Sequence, residues 1–463
     1  MNDQLTAKEQ VASLIARARS AQKTIEGYSQ DQIDVLVKAI AWAASKEENA
    51  KMVAELAVEE TRLGNYAGKY TKLTKKVKGA LRDIKDQKTV GVVERDEAKG
   101  LIKIAKPVGI IGAIAPTTNP EATPVIKSMF AIKGGNAILL APHPRAKRTN
   151  KAIVDIMRAA LKKHGAPEDL IIAIEEPSLE LSAEVMKQCD LIAATGGAAM
   201  VKAAYSSGTP AYGVGAGNAV VIVDETADIK DAANKIMLSK TFDYATSCSA
   251  ENSLLIQNGI YDTMMQALKD QGGYLCNAEE KAKLQAVLFV DGHLNTKIVA
   301  QPAHVISEAA GIILSEGSKF IMVEETGTGK DYPFSGEKLS VVLTLYKYNE
   351  FGDAINMVNA ITNYQGKGHS CGIHSNDENH ILELGLKTKV SRIMVRQPQC
   401  YGNTGDWING MPFTMTLGCG TWGGNITTEN LTWKHFINTT WIASPITPVI
   451  PSDEELFGDV MKD

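Results

Sequence analysis

The stretch Val108-Gly-Ile-Ile-Gly-Ala-Ile-Ala115 decides how this chain folds. It is an apolar run of strand length that ends at Pro116-Thr-Thr-Asn-Pro120, and helical spacing follows. The alternation then repeats. Strands are expected over 108–115, 136–141, 170–174, 190–194, near 211 and over 219–223, with helices over 121–133, 149–164, 179–187 and 198–206. Short apolar strands alternating with helices build a parallel, doubly wound sheet, whose ligands sit beyond the carboxyl ends of the strands. A nucleotide is the expected guest.

Upstream, residues 5–86 carry apolar positions at helical spacing, through Val11, Leu14 and Ile15 and again through Ile33, Val35, Leu36 and Ile40, and read as helical scaffold. The β-rich segments 88–95 and 101–105, joined by Asp96-Glu-Ala-Lys-Gly100, make a hairpin. His435-Phe-Ile-Asn-Thr-Thr-Trp-Ile442 is β-rich and adds an edge strand to it. Projecting ribbons commonly pair with another subunit, so a homodimer or homotetramer is expected. Downstream, a helix ending at Lys240 leads to a polar turn and a second βα series through 351–358 and 391–395.

The expected fold class is therefore α/β, with two doubly wound domains and a β-hairpin oligomerisation element. The nucleotide-binding domain is placed at 1–240, with the hairpin 88–105 and the strand 435–446, and the catalytic domain at 241–425. A peripheral acidic tail fills 447–463.

The 463 residues exceed what one hydrophobic core usually supports, which favours two domains. With 44% apolar residues, 22% charged residues and a net charge of −4, nothing calls for nucleic acid or an anionic membrane as partner. The N-terminal sequence has neither a long apolar core nor a small-residue cleavage site, and no charge-free apolar run is long enough to span a bilayer; a cytoplasmic protein is expected. Six cysteines spread over this length form neither a disulfide framework nor a CxxC zinc pattern, so reduced thiols and no metal are expected.

One cysteine differs from the rest in its surroundings. In Lys240-Thr-Phe-Asp-Tyr-Ala-Thr-Ser-Cys248-Ser-Ala-Glu-Asn252 small polar residues crowd Cys248 on both sides, and the strand-like Ser253-Leu-Leu-Ile256 follows. The sulfur is thus placed on an irregular turn within reach of a substrate, a candidate nucleophile. Thr195-Gly196-Gly197 follows a strand and opens a helix, where backbone N–H groups face an anion such as a pyrophosphate. Tight helix–strand packing explains two glycines equally well. Gly418-Cys-Gly-Thr-Trp-Gly423 matches GxGxxG but lacks the long strand before it and the helix after it, so it is not read as a dinucleotide fingerprint.

From about residue 10 to 445 the chain resembles the aldehyde dehydrogenase superfamily. Within it the likeness is to the CoA-acylating branch, which includes succinate-semialdehyde dehydrogenases and the aldehyde half of bifunctional aldehyde-alcohol dehydrogenases. The segments that carry the likeness are Pro116-Thr-Thr-Asn-Pro120, Ala141-Pro-His-Pro-Arg-Ala-Lys147, Ala194-Thr-Gly-Gly197, Val201-Lys-Ala-Ala-Tyr-Ser-Ser-Gly208, Gly213-Val-Gly-Ala-Gly-Asn218, Glu337-Lys-Leu-Ser340 and Thr416-Leu-Gly-Cys-Gly-Thr-Trp-Gly-Gly-Asn425.

The resemblance implies that Cys248 attacks an aldehyde and leaves a thioacyl-enzyme, with Asn119 and the Cys248 N–H donating to the oxyanion. It implies NAD or NADP held by Thr117, Pro142, His143, Arg145, Thr195, Gly196, Gly197, Gly215, Gly217, Glu337 and Leu339. Arg145, Lys147 and Arg148 would tolerate a 2′-phosphate. Hydrolytic relatives carry a glutamate base in the segment matching 208–223, and this chain has no Asp or Glu there. The acyl group is therefore expected to wait for the thiol of CoA, the co-substrate, with His369 taking the thiol proton. A hydrolytic enzyme and a catalytically silent assembly module are the rival readings.

For substrate recognition the resemblance points to Tyr244, Thr246 and Ser247 before the cysteine, and to Arg396, which occupies a tunnel-lining position where relatives have Asn. A guanidinium there would hold a carboxylate or sulfonate. The expected substrate is a short anionic aldehyde, sulfoacetaldehyde first and succinate semialdehyde second.

Overall fold

The computed structural model describes residues 5–461. The outermost residues assigned above to the first domain and to the tail, 1–4 and 462–463, lie outside the described residues. The chain opens with a helical layer. Ala7–Ile25 and Gln30–Ser45 each begin at a capping box, Thr6 with Glu9 and Ser29 with Gln32, which satisfies backbone N–H groups left free at a helix start. Glu47–Thr61 follows, and then Tyr66–Thr71 runs through a π-turn at Lys72–Lys76 into Val77–Ile84.

The strand Ile110–Ala115 is buried at all six positions and lies at the centre of a five-stranded parallel sheet, as its unbroken apolar run requires. The order across the sheet is Ile171–Ala173, Ala137–Pro142, Ile110–Ala115, Leu191–Thr195, Ala211–Val214. The chain builds outward from Ile110–Ala115 on one side and then returns to build on the other. The order therefore reverses between Ile110–Ala115 and Leu191–Thr195, which opens a crevice beyond their carboxyl ends. The helix Thr123–Lys133 fills the sheet's inner face and is buried along its whole length. Even Lys127 is enclosed; it donates to Ile114 O at 3.0 Å and Ala193 O at 2.8 Å, and burial pulls its ammonium down to about 7.

A second parallel sheet has seven strands, ordered Gly273–Leu275, Phe320–Glu324, Val342–Tyr348, Glu251–Gln257, Ala219–Val223, Cys371–His374, Ile393–Val395. It has its own core, containing Met264, Phe320 and Leu343, separate from the core around Phe130 and Leu139. The boundary expected at 240 is corrected here. Ala219–Val223 pairs with Glu251–Gln257 and Cys371–His374, so the chain leaves the first sheet after Val214. An apolar strand suits the middle of either sheet, and only its hydrogen bonds assign it.

The hairpin forms from Gly91–Asp96 and Leu101–Pro107, and Ile437–Ala443 joins it antiparallel as the third strand. Six of that strand's seven residues are exposed. Among the described residues no helix is long and apolar enough to cross a membrane, and no group of three or more His, Cys, Asp or Glu side chains is placed to hold a metal ion.

Candidate active site

The carboxyl ends of the first sheet face the amino ends of the second across a cavity of about 340 Å³. Asn119, from the loop after Ile110–Ala115, and Thr195, at the end of its own strand, enter from the first unit; Cys248 and Glu337 enter from the second.

Cys248 is half-buried and sits one short turn before Glu251–Gln257. The chain reaches it through a kink in which Asp243, Tyr244 and Ala245 have φ of 48°, 49° and 60°. Three successive non-glycine residues in the left-handed region cost about 1 to 2 kcal/mol each, so other contacts must hold the kink. The Asp243 carboxylate supplies them. It accepts from Asn65 N at 2.7 Å and from Thr246 Oγ1 at 2.7 Å, and it pairs with Lys69 at 3.0 Å and with Lys72. A Cβ at Gly64 or Gly68 would collide with Asp243, so glycine at both makes room for the anchor. Burial pushes the Asp243 carboxyl up, but the two ammonium groups more than reverse this and hold it below its ordinary value.

Gly217 lies directly on the Cys248 backbone, where a Cβ would strike the Cys248 carbonyl. Its N–H donates to Glu337 Oε1 at 3.1 Å. Burial pushes Glu337 up to about 8, against that hydrogen bond, so the carboxyl is largely protonated at neutral pH.

His369 is fully buried, with Nε2 3.1 Å from Cys248 Sγ and Nδ1 2.9 Å from Ser370 Oγ. Burial, helped by the Arg392 charge, pulls the imidazole down to about 3. Burial also pushes the Cys248 thiol up to about 12, reinforced by Glu337 and opposed by Arg392. Without ligand the pair therefore rests as thiol and neutral imidazole, a proton acceptor already in contact with the sulfur. An Nδ1–H donated to Ser370 leaves the Nε2 lone pair facing the thiol.

Most of the residues singled out in the sequence meet here. Thr117, Asn119, His143, Thr195, Gly196, Gly197, Gly215, Thr246, Ser247, Cys248, Glu337 and Leu339 all line the cavity, and His369 touches the cysteine from behind. Pro142 ends the strand just before His143. Arg145 stands at the rim, its N–H bonded to His143 Nδ1 at 3.1 Å and its guanidinium to Thr61 O at 2.8 Å. The neighbouring cations are already paired, Lys147 with Glu176 and Arg148 with Glu59.

Three assignments need correction. Gly217 supports Cys248 rather than lining the cavity. Tyr244 turns away and packs on the second core. Arg396 is not in the cavity at all: it follows the carboxyl end of Ile393–Val395, whereas Cys248 precedes the amino end of a strand in the same parallel sheet. Strands rise about 3.3 Å per residue, which separates the two by on the order of 20 Å. Arg396 is exposed and donates to Ser375 O at 2.6 Å.

The arginine at the site is Arg392, four residues earlier. It is buried, donates to His369 O at 3.1 Å and Thr428 O at 2.8 Å, and also bonds Gly418 O. Lys72, Asp243 and Ser370 were missed as well. Ser370 adjoins His369, but nothing in the spacing marked the other two.

The aldehyde dehydrogenase family profile matches residues 3–276. The chain is 48% identical over 459 residues to a sulfoacetaldehyde dehydrogenase of Acholeplasma sp, covering 98% of this chain and 94% of that one. It is 47% identical over 457 residues to an acylating sulfoacetaldehyde dehydrogenase of Bilophila wadsworthia, covering 98% of each. An acetylating succinate-semialdehyde dehydrogenase of Clostridium kluyveri is 41% identical over 99% of this chain and 100% of that one. Among solved structures, an acetylating aldehyde dehydrogenase from Geobacillus thermoglucosidasius superposes with a TM-score of 0.93 at 40% identity, over 96% of this chain and 98% of that one. A propionaldehyde dehydrogenase of Rhodopseudomonas palustris, with bound CoA and an acylated cysteine, gives 0.84 at 28% identity, over 94% and 97%.

Proposed function

The chain belongs to the aldehyde dehydrogenase family and to its CoA-acylating branch, and we propose that Cys248 is its nucleophile, His369 the base at that sulfur and Asn119 a donor to the oxyanion. The observation that carries this is the 3.1 Å approach of His369 Nε2 to Cys248 Sγ beside a cavity. Neutral His369 takes the thiol proton as Sγ bonds the aldehyde carbon, and the carbonyl electrons move to oxygen. Asn119 Nδ2 and the Cys248 N–H receive that oxyanion; one such donor is worth about 3 to 4 kcal/mol.

The residues present suit a dinucleotide. Gly197 and Gly215 border open space into which a Cβ would project, and the Gly196–Gly197 turn presents backbone N–H groups at a helix start. NAD or NADP bound there would supply the hydride acceptor that conversion of a Cys248 thiohemiacetal into a thioester requires. Glu337 would hold the cofactor ribose, and His143 and Arg145 would serve its adenosine part.

The thioester lacks the carboxylate base with which hydrolytic relatives activate water. The segment crossing over Cys248 has no carboxylate, and Glu337, the one carboxylate lining the cavity among the described residues, is bonded to Gly217 N–H and largely protonated. His369 first releases the Cys248 proton to solvent; CoA then gives its thiol proton to the neutral ring, its sulfur takes the acyl carbon, and Cys248 leaves as thiolate and recovers that proton from His369. The substrate is a short anionic aldehyde, sulfoacetaldehyde converted to sulfoacetyl-CoA. Identities of 48% and 47% to two sulfoacetaldehyde dehydrogenases favour it over succinate semialdehyde, whose acetylating dehydrogenase stands at 41%. The enzyme is read as cytoplasmic, and as a homodimer or homotetramer assembled through the sheet that ends in Ile437–Ala443.

Absorbance at 340 nm tests the reading, with NAD or NADP, each aldehyde in turn, with and without CoA. Turnover that requires CoA and is fastest with sulfoacetaldehyde is expected. Faster turnover of succinate semialdehyde overturns the substrate, and full turnover without CoA overturns the acyl transfer.

A further inference from the structure

Three lysines of the helical layer, Lys69, Lys72 and Lys76, are buried on one face of a continuous helical run, Lys72 at the start of its π-turn. Lysine is almost never enclosed in this way unless it is paired, and π-turns gather at functional sites. Each of the three bonds a loop of the active site. Lys69 donates to Thr118 O at 2.5 Å, Lys76 to Tyr401 O at 3.0 Å and Gly405 O at 2.5 Å. Lys72 is the most tightly engaged. Its Nζ donates to Asn119 Oδ1 at 2.6 Å, to Thr246 Oγ1 at 2.9 Å and to Asp243 Oδ2, which uses all three of its N–H bonds.

Those partners come from the two halves of the reacting centre: Asn119 from the first unit, Asp243 and Thr246 from the kink that delivers Cys248. With its oxygen on an ammonium, the Asn119 amide has one possible orientation, because the flipped amide would set donor against donor. Nδ2 is then turned away from Lys72. One N–H goes to Thr118 Oγ1 at 3.1 Å, and the other is left for a ligand. A charge-assisted bond at the oxygen also polarises the amide and strengthens its N–H as a donor.

We propose that Lys72 is a positioning residue for the oxyanion: it fixes and polarises the Asn119 amide and ties it to the loop of the nucleophile. This rests on the reading of Asn119 as oxyanion donor given above.

The test is a cycle of Lys72→Met and Asn119→Ala in the full chain, read by single-turnover formation of NADH from aldehyde, with NADH binding followed by fluorescence. Losing a donor of this type lowers rates by about 100- to 1,000-fold. Lys72→Met is expected to lower the rate by roughly tenfold to a hundredfold, with cofactor affinity and aldehyde KM within about twofold, and to add less than about twofold when Asn119 is already alanine. Where Lys72→Met fails to fold, the whole cycle is run in an Asp243→Asn background, which removes the uncompensated carboxylate and, being common to all four corners, cancels the cost of the altered kink. If Asn119→Ala is costly and the two losses multiply, the Lys72 role is overturned while the oxyanion reading stands. If Asn119→Ala leaves the rate unchanged, the oxyanion reading falls, and the Lys72 role with it.

Discussion

His369 meets Cys248 through Nε2 and Ser370 through Nδ1, at 3.1 and 2.9 Å, in a site where burial keeps the imidazole neutral. On the proposed mechanism one ring would serve both half-reactions, first taking the Cys248 proton, releasing it to solvent, and later taking that of CoA. His369→Ala is expected to slow alkylation of Cys248 by iodoacetamide at pH 7 by at least about tenfold, since positioned bases contribute about 100-fold or more. Acyl transfer to CoA in a single turnover slows in parallel. Alkylation at the wild-type rate would remove His369 from the first step.

The same burial sets a pH dependence of stability. His369 titrates at about 3 when folded and near 6.5 when unfolded. Between those values the unfolded chain binds a proton that the folded chain excludes. The stability that His369 contributes is therefore fully present above about pH 6.5 and is lost as pH falls through the window down to about 3, by at most about 1.4 kcal/mol per pH unit. His374, pulled down to about 4 by burial, acts in the same direction. His369→Gln is expected to lower the slope of urea-unfolding free energy against pH between pH 6 and pH 4, by at most about 1.4 kcal/mol per pH unit. An unchanged slope would show that the imidazole is protonated in the fold.

The parallel sheets were legible because buried strands read as short apolar runs and the chain alternates them with helices. Cys248 was legible because a polar turn before an apolar strand is an unusual place for that residue. The lysines were not. On Tyr66–Thr71 and its π-turn, Lys69, Lys72 and Lys76 have the spacing of a solvated helix face, and what buries them are loops roughly 50 to 330 positions away in sequence. Choosing between Arg392 and Arg396 needed the direction of a strand. The two flank Ile393–Val395, one at the end facing Cys248 and the other at the far edge.

That placement reverses the expectation for Arg396. Arg396→Ala is expected to leave kcat/KM for sulfoacetaldehyde within about twofold, because an exposed side chain bonded to Ser375 O takes no part in the cavity. Arg392→Met strands the Gly418, His369 and Thr428 carbonyls, each at about 1 to 3 kcal/mol, and is expected to lower the unfolding midpoint and the activity together. A selective rise in KM for anionic aldehydes in Arg396→Ala would return that residue to substrate recognition.

The kink at residues 243–245 should fail when its anchor is removed. Asp243→Ala leaves the ammonium groups of Lys69 and Lys72 buried without their shared carboxylate, a change of about 3 to 5 kcal/mol, and frees three left-handed residues to relax. Activity is expected to be lost with the stability. Gly68→Ala separates this anchor from general helix effects. Alanine in a helix ordinarily stabilises by about 1 kcal/mol over glycine, but here the added methyl meets the backbone and side chain of Asp243. The expected result is a lower urea midpoint and slower alkylation of Cys248. A raised midpoint with unchanged alkylation would show that the helix and the Cys248 loop are not mechanically joined at Asp243.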